Sequence, residues 1–161
     1  MVDYEEAIFI QGRVYKLRCE HCSEMFSLMG VSAENDTQHM DVMTAGQRGG
    51  QGVVVYKTTG PEFGSIVRGR PVEVPQRILD IVECDDYHTS RIVRTEDQND
   101  DLRGLSRSEY LKKARPPKLF WKCPFCETGE AVSIAEMKPG EFKKQGGKLT
   151  VIHPLYLGME W

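Results

Sequence analysis

The sequence WKCPFC occupies Trp121–Cys126, and in it a proline and a phenylalanine separate two cysteines. A second pair with the same spacing, CEHC, occupies Cys19–Cys22 near the start of the chain. A single Cys-x-x-Cys pair is compatible with a redox dithiol, a disulfide or half of a metal site. Two such pairs favour the metal site, because Zn²⁺ takes four ligands in a tetrahedron and one tight turn can present two thiolates.

The other two interpretations are less well supported by the sequence. The chain holds five cysteines, whereas a secreted disulfide framework generally has an even and denser set. A redox dithiol generally opens a helix, whose N-terminus lowers the thiol pKa, and ETGEAVSI at 127–134 is a poor helix start. The candidate ligands for Zn²⁺, with iron as the less favoured metal, are Cys19, Cys22, Cys123 and Cys126. Cys84 and His88, in CDDYH, also have a spacing that can chelate, and their role stays open.

Strand-like sequence flanks both cysteine pairs. RVYKLR precedes Cys19 and SEMFSLM follows Cys22, while KLFWK precedes Cys123 and ETGEAVSI follows Cys126. Aromatic and β-branched residues are typical of strands, so each pair is expected at the tip of a β-hairpin.

These two halves resemble the knuckles of a zinc ribbon, within the broad group of four-cysteine sites that includes treble-clef and rubredoxin-like proteins. The resemblance covers residues 13–30 and 118–135 only. It implies a structural four-cysteine zinc site between two β-hairpins. It implies no particular activity, because zinc ribbons serve transcription, translation, nucleotide enzymes and assembly proteins alike. A rubredoxin-like iron electron carrier remains the less favoured alternative.

The spacing departs from that of compact ribbons. Cys22 and Cys123 are separated by 100 residues, where compact sites have about 15–20. A fivefold longer loop costs only about 1.5 kcal/mol, whereas structural zinc contributes about 10–16 kcal/mol in small peptides. The sequence therefore predicts an α+β, β-rich split zinc ribbon as a single domain over 1–161, with a long, mixed, loop-rich insert at 31–117.

The insert contains several recognisable segments. VVVYKTTG at 53–60 and GSIVRGRPVEV at 64–74 are predicted strands, and a helix is predicted from Pro75 with apolar residues on one face. GQRGGQG at 46–52 lacks the following GK[ST] of a phosphate loop, so a flexible loop or a glycine-rich hairpin is expected. The acidic EDQNDD at 96–101 is expected to be a solvated loop.

A basic segment, 103–122, follows the acidic one and leads into the second cysteine pair. Ser106 and Glu109 form a capping box that predicts a helix over about 107–114. Aromatic residues alternate with the cations, as in surfaces that contact nucleic acid. The candidates for nucleic-acid or partner contact are Arg103, Arg107, Lys112, Lys113, Arg115 and Lys118.

The remaining features narrow the class of protein. No apolar run approaches the roughly 18 residues of a membrane span, and the N-terminus lacks the plan of a secretory signal. The sequence thus predicts a cytoplasmic or otherwise intracellular protein without membrane contact. The net charge of -3 weighs against general affinity for nucleic acid. The apolar tail, 148–161, must be buried on its own domain or on a partner.

No Ser/His/Asp set, nucleotide loop or zinc-hydrolase motif occurs, and four cysteine ligands leave no position open for water. The sequence predicts a non-enzymatic structural-zinc protein that is an interaction or assembly component of a larger complex. Its expected partners are proteins, with no small-molecule substrate. The alternative is a nucleic-acid-binding or transcription-associated zinc ribbon that uses the basic segment.

Overall fold

A computed structural model describes residues 7–33, 42–59, 61–62, 72–90, 92–94, 100–114, 119–127 and 129–158. Within these ranges the chain is rich in strands and has few helices, as the sequence predicts. The strands are β1 (Ile8–Cys19), β2 (Met25–Ala33), β3 (Val42–Gln47), β4 (Gly52–Lys57), β5 (Tyr87–His88), β6 (Ile92–Arg94), β7 (Leu119–Lys122), β8 (Glu130–Met137), β9 (Lys148–Val151) and β10 (Leu155–Leu157). The helices are α1 (Gln76–Val82), α2 (Arg107–Lys113) and α3 (Pro139–Lys144).

The first sheet is a curled, mostly antiparallel sheet built around the long strand β1. Strand β2 pairs with one edge of β1, while β10 and β8 pair with successive parts of the other edge. The sheet continues from β8 to β7 and β6. A register shift between Lys16 and Leu17 interrupts the β1–β8 ladder and increases its local bend. As predicted, each cysteine pair lies between two antiparallel strands, β1–β2 and β7–β8.

The second sheet has the order β5-β3-β4-β9 and lies between the first sheet and α1. This position explains the apolar run in β4, where successive side chains point to opposite faces and both faces are covered. Val53 and Val55 pack toward the first sheet. Val54 packs with Ile78 and Val82 of α1, which are on the helix face that the sequence predicts.

The tail contributes one strand to each sheet. Strand β9 runs parallel to β4, and β10 runs parallel to the start of β1. Leu155 is fully buried in the core between the two sheets, together with Phe142 of α3. Residues 148–158 therefore pack on their own chain, and residues 159–161 lie outside the described part.

Several predicted segments fall wholly or partly outside the described residues. Most of the predicted strand at 64–74 lies outside the described residues, and its described end, 72–74, is irregular. The same holds for most of the acidic segment 96–101, whose last two residues belong to a 3-10 turn, Asp100–Leu102. Among the described helices, none has the length and apolar character needed to cross a membrane.

Candidate metal centre

The fold brings the two cysteine pairs together although 100 residues separate them in sequence. The pairing of β1 with β8 places the first cysteine turn, residues 19–24, beside the second, residues 123–127. The first turn is also bonded directly to the start of β8, because the Glu20 N–H donates to the Glu130 carbonyl at 3.0 Å. The four sulfur atoms consequently all lie within 4.8 Å of one another.

The distances between the sulfur atoms fit a tetrahedral metal ion. Cys19 Sγ lies 3.7 Å from Cys126 Sγ, and Cys22 Sγ lies 3.7 Å from Cys123 Sγ. A tetrahedron with metal–sulfur bonds of about 2.3 Å has edges of about 3.8 Å. The same separations are far longer than the roughly 2.05 Å of a disulfide. The four cysteines predicted as ligands are therefore positioned to share one metal ion.

Backbone N–H groups of both turns point at the sulfur atoms. In the first turn, His21 and Cys22 donate to Cys19 Sγ at 3.3 and 3.4 Å. In the second turn, Phe125 donates to Cys123 Sγ at 3.4 Å. Such N–H groups stabilise the negative charge that thiolate ligands carry. Each turn thus supplies both the ligands and part of their electrostatic environment.

The two cysteine turns are closed by the same type of backbone hydrogen bond. Ser23 donates its N–H to the Cys19 carbonyl at 3.0 Å, and Glu127 donates to the Cys123 carbonyl at 3.2 Å. Both residues adopt left-handed conformations, with φ of 64° and 59°. Glycine adopts this region most easily, and neither turn has glycine there. The sequence therefore gives no hint of these two left-handed positions.

Gly129 leaves room for the sulfur atoms. A β-carbon at this position would lie 2.3 Å from Cys19 Sγ and 3.2 Å from Cys126 Sγ. The carbonyl of Gly129 also accepts the Cys123 N–H at 3.0 Å, which fixes this backbone against the second turn. A side chain here would displace the ligands, so glycine is required by the close approach of β8 to the site.

Without a cation, two of the four thiols, those of Cys22 and Cys123, favour the protonated form. Burial raises the pKa of Cys123 to about 12, although the N–H groups of Cys126 and Phe125 oppose the rise. The pKa of Cys22 is also raised. A hydrogen bond from the Glu24 N–H acts to lower this pKa, but lost hydration and the neighbouring Cys19 raise it by more. A metal ion that binds here must displace protons and supply the positive charge that the thiolates need.

A set of side chains from distant parts of the chain surrounds Phe125. The guanidinium carbon of Arg48 lies 4.2 Å from the centroid of the Phe125 ring. His88 and Phe26 approach that ring edge-on, at 5.0 and 5.8 Å between centroids. Sequence reasoning missed these contacts, because the residues come from separate strands and no local motif connects them. Arg48, within the glycine-rich segment GQRGGQG, contacts Glu24, Asp86 and Phe125 of its own chain.

Cys84 and His88 do not join the four-cysteine group. The His88 Nε2 atom lies 2.6 Å from Asp86 Oδ1, and Cys84 Sγ accepts hydrogen bonds from the Gln47 side chain and the Asp86 N–H. Within the described ranges, the four cysteines are the only cluster of three or more His, Cys, Asp or Glu residues placed to hold one metal ion.

The basic segment forms the predicted helix, α2. The Ser106 side chain accepts the Glu109 N–H at 3.4 Å, which confirms the predicted N-cap. No side chain of α2 is buried, and its cations are exposed to solvent. Of the predicted contact residues, the structure describes Arg103, Arg107, Lys112 and Lys113, whereas Arg115 and Lys118 lie outside the described part.

Comparisons of the chain with protein-family models, with curated proteins and with solved structures found no match. The site must therefore be interpreted from its own geometry.

Proposed function

We propose that this protein is a non-enzymatic structural-zinc protein in which four cysteines bind one Zn²⁺ as the two halves of a split zinc ribbon. The observation that carries the proposal is the convergence of Cys19, Cys22, Cys123 and Cys126 with sulfur separations that suit a tetrahedral ion. Bound Zn²⁺ would supply a cross-link between the β1–β2 and β7–β8 hairpins. Four protein ligands leave no position for substrate or water, which favours a structural role.

The state of the cysteines supports an intracellular location. None of the five cysteines, all of which lie in the described part of the chain, forms a disulfide, as is typical of proteins in reducing compartments. Cys19 and Cys123, two of the four candidate ligands, are buried with only 1% of their surface exposed, whereas Cys22 is exposed. Metal can therefore enter from the Cys22 side, while the fold encloses the other half of the site.

Metal analysis of the purified chain tests this proposal. We expect one zinc per chain in the wild type, and its loss in Cys19→Ser and in Cys123→Ser alike. Cys84→Ser is the matched control, because it removes a cysteine outside the site and should leave the zinc content unchanged. Metal retained at full occupancy in either ligand variant would contradict a shared site. Iron and visible absorption in place of zinc would favour a rubredoxin-like electron carrier.

We further propose that α2 is a contact surface for a protein partner, as expected for an assembly component. Tyr110 and Leu111 are 38% and 67% exposed on a helix that buries none of its side chains. Arg107, Lys112 and Lys113 flank them, so the helix combines apolar anchors with positive charge. Exposed apolar side chains that are surrounded by cations suit a groove with an apolar floor and acidic rims. Nucleic acid is the less favoured partner, because the chain as a whole is acidic.

Affinity purification from the native host, with tagged wild type and Leu111→Asp, tests this surface. We expect an acidic protein to co-purify with the wild type and to be lost with Leu111→Asp. Ile81→Asp is the control, because Ile81 is 54% exposed on α1 and lies outside the basic segment. Equal recovery with wild type and Leu111→Asp would contradict the proposed surface. Binding of short DNA or RNA at about 50 mM salt, weakened by Lys112→Glu, would instead favour nucleic acid.

A further inference from the structure

We infer that Arg48 is a positioning residue that holds both cysteine turns in their metal-binding arrangement. The inference rests on the proposed metal binding and assigns a further residue to that same site. Arg48 lies in the turn between β3 and β4, in the second sheet, and belongs to neither cysteine turn. Its side chain nevertheless contacts one residue of each turn, and these residues hold the ligands.

The contact with the first turn is an ion pair with Glu24. Arg48 Nη1 lies 3.1 Å from Glu24 Oε1. The backbone of Glu24 closes that turn, because its carbonyl accepts the Cys19 N–H at 2.9 Å, and Glu24 lies two residues after Cys22. Fixing the Glu24 side chain therefore restricts the backbone that orients Cys19 and Cys22.

The contact with the second turn is the stacking of the guanidinium on Phe125. The two groups are 4.2 Å apart, a distance typical of a cation–π interaction. Phe125 lies between the two cysteines of its turn, and its N–H bonds Cys123 Sγ. Because Phe26 and His88 also form T-shaped contacts with the ring, Arg48 covers a ring whose position is already limited.

Arg48 is itself held in place by neighbouring backbone and by Asp86. Gly49 and Gly50 adopt positive φ values of 92° and 84°, which close the turn tightly, and the Gly49 N–H bonds the Met25 carbonyl at 2.7 Å. The Arg48 N–H bonds the Asp86 carbonyl at 3.4 Å, and its Nε lies 3.3 Å from Asp86 Oδ2. A planar guanidinium can bind two carboxylates at its edge and stack through its face, which a lysine ammonium cannot do.

Metal affinity in competition with a chromophoric chelator measures this role. We expect Arg48→Ala to weaken zinc binding about tenfold to a hundredfold, as is typical for residues that orient metal ligands. The stoichiometry at saturating zinc should remain one per chain, since all four ligands are still present. Arg48→Lys keeps the charge and loses the planar fork, so its affinity should lie between those of Arg48→Ala and the wild type.

Arg13→Ala is the matched control. Arg13 also forms an ion pair on the first sheet, with Glu136 at 2.6 Å, and its side chain is 46% exposed against 44% for Arg48. It lies six residues before Cys19, which corresponds to about 20 Å along a strand. Its loss should lower stability slightly and leave zinc affinity unchanged.

Phe125→Leu tests the same contact from the other side, should Arg48→Ala fold poorly. It retains an apolar side chain and removes the aromatic face, so it should also weaken zinc binding. Combining it with Arg48→Lys should cost less than the sum of the two single losses, because both act on one contact. An Arg48→Ala affinity equal to that of Arg13→Ala overturns the inference alone. A wild-type chain that binds no metal overturns the proposed function and the inference together.

Discussion

Gly129→Ala perturbs the metal centre without removing a ligand. The added β-carbon would lie 2.3 Å from Cys19 Sγ and 2.9 Å from the β-carbon of His21. Ordinary non-bonded contacts begin at about 3.5 Å, so the sulfur and this β-carbon must separate by at least about 1.2 Å. Metal–ligand distances tolerate changes of only about 0.2 Å. One thiolate is therefore expected to leave the coordination sphere.

Neighbouring hydrogen bonds prevent the backbone from absorbing this displacement. The Gly129 carbonyl accepts the Cys123 N–H at 3.0 Å, and the adjacent Glu130 carbonyl accepts the Glu20 N–H at 3.0 Å. A shift of β8 away from Cys19 would break both. We therefore expect Gly129→Ala to weaken zinc binding at least about a hundredfold, beyond the effect of a residue that only orients ligands.

The assay is competition with a chromophoric chelator, together with the absorption spectrum of the cobalt-substituted protein, which reports the number of thiolate ligands. Gly104→Ala is the control, because Gly104 has a restrictive φ of 90°, whereas no heavy atom lies within 4 Å of the added carbon. It should lower stability while zinc affinity stays at the wild-type value. A Gly129→Ala affinity within about twofold of the wild type, less than 0.5 kcal/mol, would refute the described packing of sulfur against Gly129.

Further predictions concern stability. Ser23→Gly and Glu127→Gly should each raise the free energy of unfolding by about 0.5–1 kcal/mol in urea titrations. Glycine relieves the strain of the left-handed conformation, although it also costs some chain entropy on folding. A loss of stability would contradict the left-handed geometry that the two turns share. Phe142→Ala should cost about 3–5 kcal/mol, because this buried ring fills the core between the sheets, and a change below about 1 kcal/mol would contradict that packing. The pKa of Asp86 is lowered, first by the hydrogen bond with His88 and then by Arg48. Its carboxylate therefore stabilises the fold above about pH 4 and ceases to do so as pH falls through the lower folded value. The urea midpoints of wild type and Asp86→Asn should accordingly differ at pH 7, and the difference should shrink as the pH falls below about 4. A difference that stays constant with pH would contradict this assignment.

The sequence predicted those features that local chemistry controls. The two Cys-x-x-Cys pairs identified the candidate ligands, because metal ligation requires particular atoms at a particular spacing. Strand-forming residues around both pairs predicted the hairpins, and Ser106 with Glu109 predicted the start of α2. Apolar periodicity predicted the buried face of α1, since Ile78 and Val82 recur at helical spacing.

Other features depend on contacts between segments that are distant in sequence. The consecutive valines of β4 are consistent with a buried strand, but only the packing shows that one face meets the first sheet and the other meets α1. Gly129 leaves space for two sulfur atoms, one of them from a cysteine 110 residues earlier in the sequence. Neither the spacing nor the composition of the chain encodes such close approaches.

Short segments of the sequence thus identified the atoms that can bind a metal, because ligand identity and local turn geometry are local properties. The tertiary structure adds that the two distant pairs lie close enough to hold one ion and that Arg48 contacts a residue of each turn. The physical reason is that these contacts arise from the pairing of β1 with β8 and from the packing of the second sheet on the first. This strand pairing and this sheet packing depend on burial and hydrogen bonding over the whole core, which no short sequence motif specifies.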